Sequence, residues 1–149
     1  MTTRTRPATV TAVFVLLVLI AVYQIVMSLM ALVGATAMAT VPMIAEGSQV
    51  PVWAVLTGAA VGLVYGALSA VLAVMVNRNR SGVRTSVTAV NAVYAVVILA
   101  LLLTPVSGVP EIVAALFAVT VAVLANTATA REYFSGAAVP AGHAHPQIG

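Results

Sequence analysis

A chain of 149 residues in which 62% are hydrophobic and only 6% charged lies far from the roughly 25% charged content of a soluble globular domain, which excludes a water-soluble fold. The absence of cysteine removes disulfides, thiolate metal sites, iron–sulfur clusters and cysteine nucleophiles together. The formal charge of +3 rests on arginines beside the ends of apolar runs, where they act as topology signals and not as a surface for nucleic acid.

Apolar runs of about 20 residues, enough to cross roughly 30 Å of hydrocarbon, recur four times. The first covers residues 8–33, behind Arg4 and Arg6. A signal peptide is the rival reading, because "ATAMAT" at 35–40 places small residues at cleavage-site spacing. A signal's apolar region is only about 7 to 15 residues long, so an uncleaved helix is expected. Residues 34–50 hold Pro42 and Glu46 and read as a frayed helix end followed by an outer loop, with a helix extension or an interfacial segment as the open alternatives. The second run, 52–76, opens at Trp53, an amphipathic ring suited to the membrane interface.

"NRNRSGVR" at 77–84 follows as a short basic loop. The third run, 85–103, ends before "TPVSGVPE", a turn short enough to impose an antiparallel helical hairpin. A single fourth helix is expected over 111–134, with Pro110 and Glu111 suited to its N-terminus and "REYF" closing it. The remainder, 135–149, is rich in Gly, Ala and Pro and reads as a disordered tail. Its His143 and His145 have no third ligand with which to hold a metal.

Arg4, Arg6, Arg78, Arg80, Arg84 and Arg131 all fall on one side of this arrangement, and Glu46 and Glu111 on the other. The positive-inside rule then places both termini in the cytoplasm. The expected fold is all-α, an integral membrane four-helix bundle of two antiparallel hairpins, N-in and C-in, in a bacterial plasma membrane. Arginine without lysine, amid heavy Ala and Val use, points to a high-GC bacterial genome.

"GAAVGLVYG" at 58–66 sets three glycines four residues apart in the second run. At about 100° per residue, Gly58, Gly62 and Gly66 form a stripe that Ala54 and Ala70 extend. Lipid offers little hydrophobic gain to helices that touch, so close backbone contact across small residues supplies association. Ala114, Ala118, Ala122 and Ala130, with Asn126 completing the series, form a counterpart on the fourth helix, which makes the second and fourth helices candidates for close contact, within one chain or between subunits. Tyr65 and Ser69 share the glycine face, while Leu56, Leu63, Val64, Val71 and Val74 lie roughly opposite.

Tyr23, Gln24, Tyr65 and Tyr94 each fall near the middle of a span, where hydroxyls and amides need internal partners. They are expected to form a shared polar layer. Folding the last hairpin about Gly108 brings Asn91 level with Asn126, a second pair nearer the cytoplasm. The layer reads first as packing, in which each bond contributes about 0.6 to 2 kcal/mol, and second as the lining of a cavity for a polar or lipid-like ligand. Met27, Met30, Met38 and Met43 read as gap-filling side chains before soft-metal ligands.

No catalytic, cofactor-binding or metal-binding motif is present, and no cofactor is implied. Haem ligation would need histidine within the bundle, and acid–base chemistry would need ionisable groups in the membrane or a sizeable soluble loop; an enzyme is the weakest class. Four short spans with this topology look broadly like the small multidrug resistance transporters, whose embedded glutamate has only Tyr23 and Gln24 at the corresponding positions here. Proton coupling is therefore unsupported. With its Ala- and Val-rich spans, arginine-only cytoplasmic ends and "REYF" close, the whole chain loosely resembles the many small, uncharacterised four-helix membrane proteins of actinobacteria. That resemblance implies an architecture and no activity. The expected role is an accessory or interaction component whose partners are the lipid bilayer and a membrane protein or a second copy of the chain; a small non-proton-coupled transporter or pore is the alternative.

Overall fold

The computed structural model describes residues 6–41, 50–78, 82–102 and 109–135, with side chains from Ile112 onward in the last segment. Arg4, Pro42, Met43, Glu46, Arg80, Gly108, the side chains of Pro110 and Glu111, and the tail with His143 and His145 lie outside the described residues. Those described are almost wholly helical: α1 is Ala8–Thr40, α2 Val52–Asn77, α3 Val83–Leu102, α4 Val109–Ala125 and α5 Ala128–Ser135. By length and apolar composition α1, α2 and α3 can each cross a membrane, and α4 with α5 supplies a fourth crossing if that bent pair is one span.

Proline sets two of the starts. Pro7 and Pro51 lie just before α1 and α2 with extended backbone, where a missing amide proton costs nothing. Their carbonyls accept the first helical bonds, from Val10 and Thr11 in one case and Ala54 and Val55 in the other. Helix α1 runs seven residues past the expected end at 33, because nothing in "GATAMAT" breaks it until the residue before Pro42. The hydroxyls of Thr36 and Thr40 turn back onto the carbonyls of Val33 and Thr36 and so add no unpaired polar group. At 33 residues α1 is about 50 Å long, well beyond a bilayer core.

Before α3, Gly82 adopts a φ of +80°, a left-handed conformation that favours glycine, and its carbonyl then accepts the Ser86 amide. At the same end of the molecule Arg6 donates to the backbone carbonyl of Asn77 at 3.2 Å and to its Oδ1 at 3.1 Å. The guanidinium thus satisfies an orphan acceptor at the negative end of α2's dipole, while lying over the Phe14 ring.

The fourth run is not one helix. It breaks at Asn126–Thr127 and bends by 64°. The Asn126 side chain explains the correction. Its Nδ2 donates to the Ala122 carbonyl at 2.8 Å, the acceptor that its own backbone N–H would use in an α-helix. That N–H bonds to Val123 O instead, and Thr127 N–H to Leu124 O, two tighter turns that redirect the chain. A second bond from Asn126 Nδ2 to Thr88 Oγ1, also 2.8 Å, ties the bend to α3. Asn126→Ala should release the Ala122 carbonyl, lose the tie and lower stability by about 1 kcal/mol, measured by thermal unfolding in detergent.

Buried positions alternate in steps of three and four: Val10, Val13, Leu17, Ile20, Gln24 and Ser28 on α1; Gly62, Tyr65/Gly66, Ser69, Leu72/Ala73 and Val76 on α2; Val83, Val87, Asn91, Tyr94 and Ile98 on α3; Ala114, Ala118, Val121 and Ala125 on α4. This is the period that keeps a seam facing its neighbour in helices packed at a shallow angle. Helix α1 packs on α2, α4 and α5, and α3 on α2, α4 and α5. The outer surface stays apolar, with Val33, Val64, Val93, Val96, Leu99, Leu116 and Val123 all well exposed.

Within one chain the second and fourth helices do not approach closely: α2 and α4 make no contact among the described residues. The glycines of α2 meet α1 instead. A β-carbon on Gly66 would stand 3.0 Å from Ile25 Cγ1, 3.2 Å from Gln24 Cβ and 3.4 Å from the Ala21 carbonyl oxygen, and one on Gly62 would collide with the Ser28 hydroxyl. Gly58 is exposed with open space around it, and Ala70 is half-buried. A four-residue step turns about 40° too far on a helix of about 100° per residue, so the stripe drifts and Gly58 and Ala70 fall off the contact with α1, although Ala54 is buried.

Candidate functional site

Polar side chains gather where α1, α2 and α3 meet. Gln24 Nε2 donates to Tyr94 Oη at 2.5 Å, and Tyr65 Oη donates to Asn91 Oδ1 at 2.7 Å. Asn91 Nδ2 turns back on the Val87 carbonyl of its own helix at 2.8 Å. The Tyr65 and Tyr94 rings join the two pairs, stacked face to face with centroids 3.4 Å apart and planes 3° from parallel. Gln24, Tyr65, Asn91 and Tyr94 are all buried, as hydrogen-bonding groups in hydrocarbon must be if they are not to go unpaired. Together they tie three helices into one unit.

Each helix delivers its member for a local reason. Gln24 reaches inward because Gly62 and Gly66 present no side chains to it. Tyr65 stands beside Gly66 on the inner face of α2, and Asn91 and Tyr94, three residues apart, share one face of α3. No ionic group takes part. Among the described residues the buried polar side chains are Gln24, Ser28, Ser69 and Asn91, without an acid or a base.

Two members of the expected layer lie elsewhere. Tyr23 is 39% exposed and is joined to the cluster by no hydrogen bond, because one residue before Gln24 it stands about 100° round the helix. Asn91 and Asn126 are not a pair. Asn91 belongs with Tyr65 in the central cluster, and Asn126 meets Thr88 at the bend of the last run. Met27 and Met30 are exposed on α1.

Above the Gln24–Tyr94 pair, toward the N-terminal end of α2, the helices leave a cavity of about 330 Å³, at the lower end of the roughly 300–1,000 Å³ of small-molecule sites. Gln24, Ser28, Gly62 and Tyr94 line one end, and Val50, Trp53 and Leu101 stand toward the other. Tyr23, Thr57, Gly58 and Ala114 complete parts of the wall. The cavity lies chiefly among α1, α2 and α3, with Ala114 of α4 on its wall. Sequence periodicity carries no signal for it, because a small residue such as Ala54 or Gly58 is consistent with either a contact or a void; the angle between helices decides.

Comparison with protein-family models, curated proteins and solved structures gives no match for this chain.

Proposed function

We propose that the chain is a four-span integral membrane protein of a bacterial plasma membrane, a bundle of two antiparallel hairpins with both termini in the cytoplasm, that serves as a non-enzymatic accessory or interaction component of a membrane assembly. The observation that carries this reading is the division between seam and exterior. The side chains that bond from one to another of α1, α2 and α3, namely Gln24, Tyr65, Asn91 and Tyr94, are buried, and much of the exposed surface is valine, leucine and methionine. A neutral, internally bonded cluster holds helices in register, and an apolar exterior suits lipid or another membrane protein. The resemblance to small actinobacterial membrane proteins is part of the same proposal.

Topology is tested first. A reporter active only in the cytoplasm should work when fused after Gly149 and fail when inserted after Glu46; the reverse pattern would refute the N-in, C-in arrangement. Function is tested by purification in mild detergent with identification of what comes with the chain. A stoichiometric membrane-protein partner supports the accessory role. The second reading, a small transporter without proton coupling, is favoured by the cavity and would be supported by a homo-oligomer carrying a bound small molecule or conducting ions.

A further inference from the structure

We propose that the cavity binds an uncharged amphiphile, a single apolar chain ending in a hydroxyl or carbonyl, with that polar end against Gln24 and Tyr94. The inference rests on the reading that the chain spans a membrane, and it assigns a ligand class to the cavity that favours the second reading.

Its chemistry follows from how the lining is graded. Gln24, Ser28 and Tyr94 mark one end, at the level of Gly62. Trp53 lies nine residues earlier on α2, about 14 Å along the axis, and at that level the wall also includes Val50 and Leu101. Polar groups therefore sit deep and apolar ones near the end of the helix, the reverse of a bilayer lipid, whose headgroup stays at the surface. Gln24 makes one hydrogen bond, through Nε2 to Tyr94, whereas an amide can donate two and accept more. Held away from bulk water, that spare capacity favours a ligand oxygen or hydroxyl.

Among the described residues, no acidic, basic or histidine side chain lines the cavity. A carboxylate or ammonium placed there would be unpaired in a medium of low polarity, which is costly. The volume of about 330 Å³ is at the lower end of the range for small-molecule sites, which suits a single short chain. Gly58 borders this space, and a β-carbon built on it meets no atom of another helix within 4 Å, so a larger side chain there has room to extend over the cavity.

The test is photolabelling of the full chain in lipid nanodiscs with a diazirine-bearing decanol, followed by mapping of the modified residues. Label is expected on the walls at Tyr23, Met27 and Trp53, and excess decanol should reduce it on the order of tenfold, as displacement from a saturable site does. Decane and decanoate should leave it unchanged. Gly58→Leu should abolish the competed label with thermal stability retained, and Gln24→Leu should weaken decanol on the order of tenfold through the lost polar contact. Label scattered over exposed valines and indifferent to decanol would overturn the site, and equal competition by decanoate would overturn its preference for uncharged ligands. Extraction of the chain from membranes by alkaline carbonate would remove the membrane reading along with the site; scattered label on a carbonate-resistant chain removes the site alone.

Discussion

Replacing Gly66 by leucine should unfold or disassemble the protein, while the same change at Gly58, also in the "GAAVGLVYG" stretch, should leave it folded. The two glycines look alike in sequence, but α1 crosses only one of them. At Gly66 a first side-chain carbon already stands 3.0 Å from Ile25 Cγ1 and 3.4 Å from the Ala21 carbonyl oxygen. The isoleucine can give way a little; the backbone of α1 cannot without the helices parting. Overpacking of this kind costs about 1–3 kcal/mol where only side chains shift, a large share of the about 5–15 kcal/mol that holds a typical domain together. Parting α1 from α2 would also break the seat of Gln24. At Gly58 an added β-carbon meets no atom of another helix within 4 Å, so leucine should be neutral or stabilising through its better helix propensity. Gly62 is intermediate. A methyl there meets the Ser28 hydroxyl and lies 3.3 Å from Gln24 Oε1, and the first of these can rotate. Gly62→Ala should therefore cost less than Gly66→Leu and be partly rescued by Ser28→Ala. Thermal unfolding of the set in one detergent checks the order, and equal losses at Gly58 and Gly66 would refute the assignment of the α1 contact to Gly66.

Composition and run length sufficed for the all-helical class and for spans of membrane length, because hydropathy is summed over about 20 residues and tolerates local error. Contacts between helices were less legible. Reading Gly58, Gly62 and Gly66 as one face ignores a drift of about 40° per step, and the seam follows Gly62, Gly66, Ser69, Ala73 and Val76 instead. That same drift hides the partner: the α2 stripe meets Gln24 and Ser28 of α1, not the alanines of α4. The break at Asn126 was legible in principle, since asparagine competes for backbone carbonyls inside helices. Whether it bends a helix depends on a partner, here Thr88 of α3, which only the fold supplies. Tyr23 and Gln24 are adjacent in sequence and equally central in the span, yet a rotation of about 100° separates a buried amide from a ring that is 39% exposed.

Asn91→Leu should be the most damaging change in the polar cluster, and Tyr65→Phe should rescue much of the loss. The reason is the asymmetry between an absent hydrogen bond and an unpaired group. Asn91 accepts from Tyr65 Oη at 2.7 Å and spends its own amide on Val87 O of the same helix. Leucine deletes the acceptor and leaves the tyrosine hydroxyl buried beside an apolar side chain, at a cost of about 1–3 kcal/mol. Removing that hydroxyl as well eliminates both partners, which can be nearly neutral when shape is kept. The ring of Tyr65 remains stacked on Tyr94 in the double variant, so most of the packing between α2 and α3 should persist. A double-mutant cycle reads the coupling directly, expected at about 0.6 to 1.7 kcal/mol for a bond between membrane helices. Gln24→Leu supplies the contrast. It leaves Tyr94 short of a donor but keeps Tyr65 and Asn91 together, so its loss of stability should be smaller and additive with that of Tyr65→Phe. Additivity between Asn91→Leu and Tyr65→Phe would instead mean that the bond from α2 to α3 contributes nothing, and that the stacked rings alone join those helices.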